Sequence, residues 1–266
     1  MPITSWICAA CGGREVPLDH FATTSCGEKV HPDYAAAILA DRADQYVTGK
    51  VRVSHGLGCP RRAAIEESEG FAVDPLDLNS MLTGTAWHAF VERAGPKEWV
   101  EVEVSGKLAG VQVAGKMDRL RQLSDGTWAI EDWKHVNDFG VKFISAGPKA
   151  EHKIQTSLYA ELLEQCGSQR PTVGIIWYHS SQQGKAALTS HKFDLMPTHE
   201  ALDQRPYDCD YTVAELLKQA ASHYEDGIKW QELPLAGKSI KFGTKTACNY
   251  CSVMSVCREA EVGAPF

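Results

Sequence analysis

The sequence predicts an α/β fold, a mixed sheet flanked by helices, on three observations. The apolar period changes from helical to alternating at Trp99 and stays alternating to His135, the signature of half-buried strands. An almost wholly apolar run, Val173 to His179, reads as a buried central strand. Two helical segments, Ser80 to Arg93 and Glu151 to Cys166, bracket the alternating block and would cover the sheet.

Each element follows in order. Residues 1 to 31 are rich in Cys, Gly, Pro and Thr and show little apolar periodicity, so a segment this small needs a staple. Pro32 to Tyr46 is helical, and Val51-Arg-Val-Ser54 leads into a second helix through Cys59 to Glu69, with Ser54 as its N-cap. Asp74 to Asn79 is a loop. In the Ser80–Arg93 helix, His88 and Glu92 stand at i and i+4 on one face. Strands are expected over 99–105, 108–120 and 127–135, the last two joined by the turn Ser124-Asp125-Gly126. Glu101 and Glu103 alternate with valines and read as the wet side of the first strand. Ala186 to Phe193 is expected to pair with the 173–179 strand, and a last helix runs from Val213 to Trp230.

Composition narrows the class. A chain of 266 residues, 23% charged and 44% hydrophobic, can bury one sizeable core plus a small satellite. No apolar run nears the roughly 18–20 residues of a membrane span, and the start lacks a signal-peptide layout, so the expected location is cytoplasmic. Nine cysteines in that setting point to metal rather than disulfides. The net charge of −7 argues against a large nonspecific nucleic-acid surface, leaving local basic patches at Arg61-Arg62, Arg119–Arg121 and Lys238, Lys241, Lys245.

The chemistry concentrates on the strands. Asp118 lies on one strand and Asp132 on the next, across a tight turn, while Asp132 and Lys134 share a strand face and Trp133 turns away. Two carboxylates so placed make an oxygen-rich site suited to Mg²⁺ or Mn²⁺, and an adjacent ammonium could orient water or offset charge on a phosphate. His88 could add a nitrogen ligand. The alternative carboxylate is Glu131, on the opposite face; Glu92 supports the site or is merely solvated.

Gly-Lys-Met-Asp118, Asp132-Trp-Lys134, Gln155-Thr-Ser-Leu-Tyr159 and Gly84-Thr-Ala-Trp-His88 together resemble the PD-(D/E)XK nuclease superfamily in its RecB-like branch, over about residues 50 to 260. The resemblance implies a restriction-endonuclease-like core in which His88, Asp118, Asp132 and the carbonyl of Trp133 ligate the metal and Lys134 is catalytic. Gln155 and Tyr159, one helical turn apart, would touch the scissile strand or support Lys134. The iron–sulfur subgroup of that branch, which includes AddB-type nucleases and CRISPR-adaptation exonucleases, carries one cysteine before the core, often as Cys-Pro-Arg-Arg, and three after it. Cys59-Pro-Arg-Arg62 and Cys248, Cys251 and Cys257 fit that pattern.

Four thiolates suit either a [4Fe-4S] cluster or zinc, and spacing alone does not decide; the resemblance favours the cluster, a clasp joining both flanks of the core. A separate zinc knuckle is expected from Cys8, Cys11, Cys26 and His31, with His20 competing as fourth ligand. The compact members of the subgroup have no need of such a segment. The expected division is therefore a zinc module over 1–31 and a nuclease domain over 32–266.

The leading expectation is a metal-dependent exonuclease on single-stranded DNA ends or overhangs, acting in CRISPR adaptation or in phage or mobile-element recombination. Those settings imply an integrase or an annealing protein as partner, and because the chain has no phosphate-binding loop, any unwinding would come from a partner helicase. Competing readings are an inactive nuclease fold that binds DNA or assembles complexes, and an iron–sulfur redox or radical enzyme. Retention of Asp118, Asp132 and Lys134 speaks against the former, and the missing C-x3-C-x2-C run against the latter.

Overall fold

The structure, a computed structural model, describes residues 3–28, 30–44, 50–69, 71–93, 96, 99–136, 144–182, 185–234, 236–239, 241–242, 245–246, 248, 251 and 257. The hairpin β1 (Ile3–Cys8) and β2 (Arg14–Val16) precedes α1 (His20–Thr23) and α2 (Pro32–Asp44). Then come β3 (Val51–Arg52), α3 (Pro60–Ser68), β4 (Phe71–Val73) and α4 (Asn79–Glu92), followed by the long strands β5 (Val100–Leu108), β6 (Val111–Gln122) and β7 (Trp128–His135). The crossover helix α5 (Ala150–Gln165) leads to β8 (Val173–Gln182), β9 (Lys185–Asp194), α6 (Thr198–Asp203) and α7 (Val213–Tyr224). Near the C-terminus lie α8 (Ala236–Ser239) and the two-residue strands β10 (Lys241–Phe242) and β11 (Lys245–Thr246).

The central sheet runs β3-β6-β7-β8-β9, with β5 paired to β6. It is mixed: β5/β6, β6/β7 and β8/β9 are antiparallel, while β3/β6 and β7/β8 are parallel. The β6–β7 turn closes where the sequence put it, with Asp125 Oδ1 accepting from Thr127 N–H at 2.9 Å. A parallel β7/β8 pair demands a crossover, which α5 supplies. It buries Ile154, Leu158 and Leu162 against Val104, Met117 and Ile130 of the sheet, and Val213 and Leu217 of α7 complete the core. α7 stops at Tyr224 instead of continuing to Trp230, because Gly227 turns left-handed at φ 70°. Trp230 is instead buried in a short 3-10 turn, its indole N–H donating to Glu69 Oε1 at 3.0 Å.

The boundary expected at residue 31 needs correction. β1 is the middle strand of a three-stranded sheet whose far strand is β4, paired in parallel through Ile3↔Phe71 and Trp6↔Val73. Trp6, fully buried, shares one core with Phe21, Ile38, Ala64, Ile65, Val73, Trp230 and Leu233. Residues 3–28 therefore build a second core jointly with α2, α3 and the segment after α7. A hairpin without apolar periodicity of its own acquires its burial from these partners.

Two basic patches also resolve differently from expectation. Arg61 is buried and donates to the carbonyls of Leu233 and Gln231, each at 2.8 Å, fastening α3 to the returning C-terminal segment. Arg119 and Arg121 converge on the buried Glu131 at 3.7 and 2.9 Å. No helix of the described residues is long and apolar enough to cross a membrane.

Candidate active site

The central sheet parts around Asp118. Pairing of β6 with β7 runs from Gln122↔Trp128 to Arg119↔Glu131 and stops, and the N–H of Trp133 donates at 2.6 Å to the Asp118 carboxylate. On the other side of β6, Glu101 is missing from the register between Val100↔Arg119 and Val102↔Met117, and it adopts a left-handed φ of 53°, uncommon for a residue with a side chain. The sheet thus opens on both sides of one aspartate.

Alternation along β7 does the rest. Asp132 and Lys134 turn to the α5 side, where Lys134 Nζ lies 2.8 Å from Asp132 Oδ1 and 2.7 Å from Oδ2. Only the first contact has hydrogen-bond geometry, so Oδ2 is buried without a hydrogen-bond donor among the described residues. Burial pushes the Asp132 carboxyl up to about 6, against the pull of the Lys134 ammonium. Burial acts on Lys134 in the other sense, but the Asp132 and Asp118 charges outweigh it and hold the side chain cationic.

Glu131 takes no part in this constellation. It faces the opposite side of the sheet, where Arg119, Arg121 and the Trp177 indole N–H, at 3.2 Å, surround it.

His88 arrives from α4. Its Nε2 donates to the Trp133 carbonyl at 2.6 Å, and Nδ1 lies 3.5 Å from Asp118 Oδ1. Of the groups named from sequence, His88, Asp118 and the main chain of Trp133 are thus in mutual contact, with the Asp132–Lys134 pair flanking Trp133 on the same strand. Glu92, one turn along α4, and Glu101 join His88 with ligand atoms all within 4.8 Å of one another. A small cleft lined by His88, Val91, Glu92, Val100, Asp118, Arg119 and Trp133 opens there. Glu101 is not on a wet strand face as expected; its left-handed backbone turns it toward this cleft, where it also pairs with Lys116. Valine alternation could not reveal that turn.

The donor set fits a divalent cation. It offers two carboxylates, an imidazole and a backbone carbonyl, with one buried carboxylate oxygen left without a donor, the mixed oxygen and nitrogen chemistry that Mg²⁺ or Mn²⁺ accepts.

α5 supports the site from below. Gln155 Nε2 donates to the Tyr159 hydroxyl at 3.0 Å, and Tyr159 is buried beside Lys134, its phenol pushed up to about 12 by burial. Tyr159 fits because β6 carries Gly115, where a Cβ would sit 2.5 Å from the tyrosine ring. The pair lies on the Lys134 side of the sheet, and Tyr159 and Lys134 influence each other electrostatically. Sequence reasoning missed His152, one turn earlier, whose Nδ1 lies 2.8 Å from the Tyr178 hydroxyl; burial and the nearby Lys134 charge push its pKa down to about 2. Its only signal was its i, i+3 spacing from Gln155.

Seven of the nine cysteines make up the two sets named from the sequence, and among the described residues only the N-terminal set brings its ligand atoms within 4.8 Å of one another. Cys59 precedes Pro60 at the start of α3, and Gly237 of α8 packs between thiols: a Cβ there would meet Cys248 Sγ at 3.0 Å and Cys59 Sγ at 3.6 Å. Cys251 N–H donates to the Cys248 carbonyl at 3.4 Å, and Cys251 and Cys257 pack against the core that holds α3. In the N-terminal group, Cys8, Cys11, Cys26 and His20 place their ligand atoms within 4.8 Å of one another, with Cys11 Sγ 3.5 Å from His20 Nε2 and 3.6 Å from Cys26 Sγ. His20 thus replaces His31 as the histidine of this group. His31 is exposed, and its Nδ1 accepts from the Asp33 N–H at 3.2 Å at the start of α2.

No curated protein matches the chain. Among solved structures it is similar to that of a protein named SSO0001, at 16% identity and a TM-score of 0.49, over 85% of this chain and 94% of that one. It is also similar to one described as "Putative exonuclease" from Eubacterium rectale, at 16% identity and a TM-score of 0.32, over 56% of this chain and 52% of the other. The model of the PD-(D/E)XK nuclease superfamily matches residues 77–258, a stretch holding His88, Asp118, Asp132, Lys134, Gln155, Tyr159 and the three C-terminal cysteines, and the chain belongs to that superfamily.

Proposed function

We propose that this protein is a divalent-cation-dependent DNA exonuclease acting on single-stranded ends or overhangs. The observation that carries the reading is the convergence of Asp118, Asp132, Lys134 and His88 on one opening of the sheet. A cation held by His88, Asp118, Asp132 and the Trp133 carbonyl would polarise a phosphoryl oxygen and acidify water. The residues themselves do the positioning. Lys134, kept cationic by two carboxylates, faces the phosphate as a fixed positive charge rather than as a proton acceptor. Tyr159, held by Gln155, keeps the lysine stem from swinging away. His88 is oriented by the Trp133 carbonyl, so the helix and the catalytic strand are locked in one register.

Cys59, Cys248, Cys251 and Cys257 would hold a [4Fe-4S] cluster, and Cys8, Cys11, Cys26 and His20 a structural zinc. The meeting of Cys59 and Cys248 around Gly237 supports the former, and the compact three-thiol, one-imidazole set the latter. The cellular setting that suits such an enzyme is CRISPR adaptation or phage and mobile-element recombination, alongside an integrase, helicase or annealing protein.

The test is cleavage by anaerobically purified protein of end-labelled linear and of circular single-stranded DNA, with Mn²⁺ or with EDTA. Stepwise shortening from an end, metal-dependent and absent on the circle, is expected. DNA binding without any cleavage in Mn²⁺ would instead establish an inactive nuclease fold.

A further inference from the structure

We propose that Phe90 is a stacking platform for an unpaired base of the strand engaged at His88, with Arg93 taking a neighbouring phosphate; the inference rests on the nuclease reading above. α4 presents three sides. His88, Val91 and Glu92 line the cleft, Trp87 packs onto the sheet, and Ala86, Ala89, Phe90 and Arg93 are exposed. Phe90 stands out because 64% of it is accessible, although burying such a ring is favourable.

The exposed ring is well braced. Its centroid lies 5.6 Å from that of Trp87, and Trp87 stacks on His179 of β8 at 3.8 Å with planes 7° apart. Trp87 also lies 6.3 Å from Trp133, whose indole stacks on Trp177 at 5.1 Å. Phe90 is therefore the outermost member of an aromatic ladder that begins at the catalytic strand. Leu188, 51% exposed, sits directly across β8/β9 from His179, so of the three exposed large apolar side chains among the described residues, two flank the Trp87–His179 stack.

Chemistry selects the occupant. Two apolar side chains are far too little for a protein interface, which needs roughly 800 Å² per partner. A base needs only one rigid ring, and every base offers a π-face, so a single aromatic stacks unpaired nucleotides regardless of sequence. Arg93, on the same helical side three residues further on, supplies a cation beside that ring. The ring stands on the side of α4 away from His88, so the helix, about 10–12 Å across, separates a stacked base from the phosphate at the cleft, and the Trp87–Trp133 contact is what links the two places. A base inside a duplex has both faces covered by its neighbours, so the platform selects single strands.

The test uses the full-length Lys134→Ala protein, which cannot cleave, and oligonucleotides carrying 2-aminopurine at successive positions from one end. Quenching at one position is expected, and Phe90→Ala should abolish it while weakening binding about fivefold or more. Phe90→Trp should restore both, and an abasic nucleotide at the quenched position should erase the difference between Phe90 and Ala. Equal binding of intact and abasic strands by both proteins would overturn the inference, as would a change of oligomeric state in Phe90→Ala without DNA, which would mark the patch as a contact between copies. If the wild-type protein neither cleaves nor binds single strands, the nuclease reading fails as well; cleavage with Phe90→Ala binding unchanged overturns the stacking role alone.

Discussion

Asp118, Asp132 and Lys134 differ in how they are held, and their substitutions should differ accordingly. Asp118 orients His88 and caps the Trp133 N–H, and Asp132 neutralises Lys134. Alanine at either carboxylate should therefore lose both cleavage and Mn²⁺ binding. Lys134→Ala should keep Mn²⁺ binding by calorimetry and lose cleavage by at least about a hundredfold, the scale of one lost electrostatic stabiliser. Glu131→Ala makes the contrast. It strips Arg119, Arg121 and Trp177 of their shared acceptor, and a lower melting temperature worth about 1.5–3 kcal/mol is expected, with Mn²⁺-binding stoichiometry unchanged in the folded protein. A null cleavage phenotype in a fully stable Glu131→Ala protein would show that the wrong face of β7 has been assigned. Strand alternation made the faces legible in the sequence, since period two puts Glu131 and Asp132 on opposite sides, and their separate partners agree. His20 and Glu101 were not legible, because spacing does not say which of two histidines a short loop turns inward, nor that one residue of a strand adopts φ 53°.

At the scale of elements, the junction between β3 and α3 shows how a few contacts aim the first cysteine. The segment after β3 is a 3-10 turn rather than the start of a helix capped at Ser54. His55 Nδ1 accepts the Arg52 N–H at 3.2 Å, and its ring lies 5.6 Å from Tyr224 of α7, nearly parallel. Accepting that hydrogen bond requires the neutral imidazole. Burial, then the Arg52 and His223 charges, push His55 down to about 4. The unfolded chain therefore binds one more proton between pH 4 and about 6.5, so stability falls as pH drops through that window. The loss is on the order of 3 kcal/mol at its limit. Denaturant melts at pH 7 and pH 4.5 should show this slope in the wild type and a shallower one in His55→Gln. Equal slopes would mean that His55 titrates freely. The long elements were readable because their periodicity is sustained; β1, β2 and β4 are three to six residues each and acquire their burial from partners distant in the chain, which no local pattern encodes.

At the scale of the whole molecule, the two cysteine groups are fastened to one core, although the sequence suggested a detachable module and a separate clasp. Cys59 starts α3, whose Ala64 and Ile65 pack with Trp6, Phe21, Ile38 and Trp230; Cys251 and Cys257 pack against that same core, as do Cys11 and Cys26. Arg61 and Glu69 tie α3 to the segment at 230–233 that brings the chain back toward Cys248. Deleting residues 1–31 would uncover Ile38, Ile65, Val73 and Trp230 and remove the sheet partner of β4. Each large side chain so exposed costs about 1.5–3 kcal/mol, so the total is comparable to the whole stability of an ordinary domain. Truncation should therefore lower the melting temperature sharply and loosen the cluster proposed at Cys59, Cys248, Cys251 and Cys257. Cys11→Ser with His20→Ala, which leaves the apolar contacts in place, should release the zinc proposed at the N-terminal group with a smaller fall in melting temperature. Metal content and melting curves measured side by side on the two proteins decide the matter. A truncated chain that keeps its C-terminal metal and melts with the wild type would show that residues 1–31 are a passenger on the nuclease core.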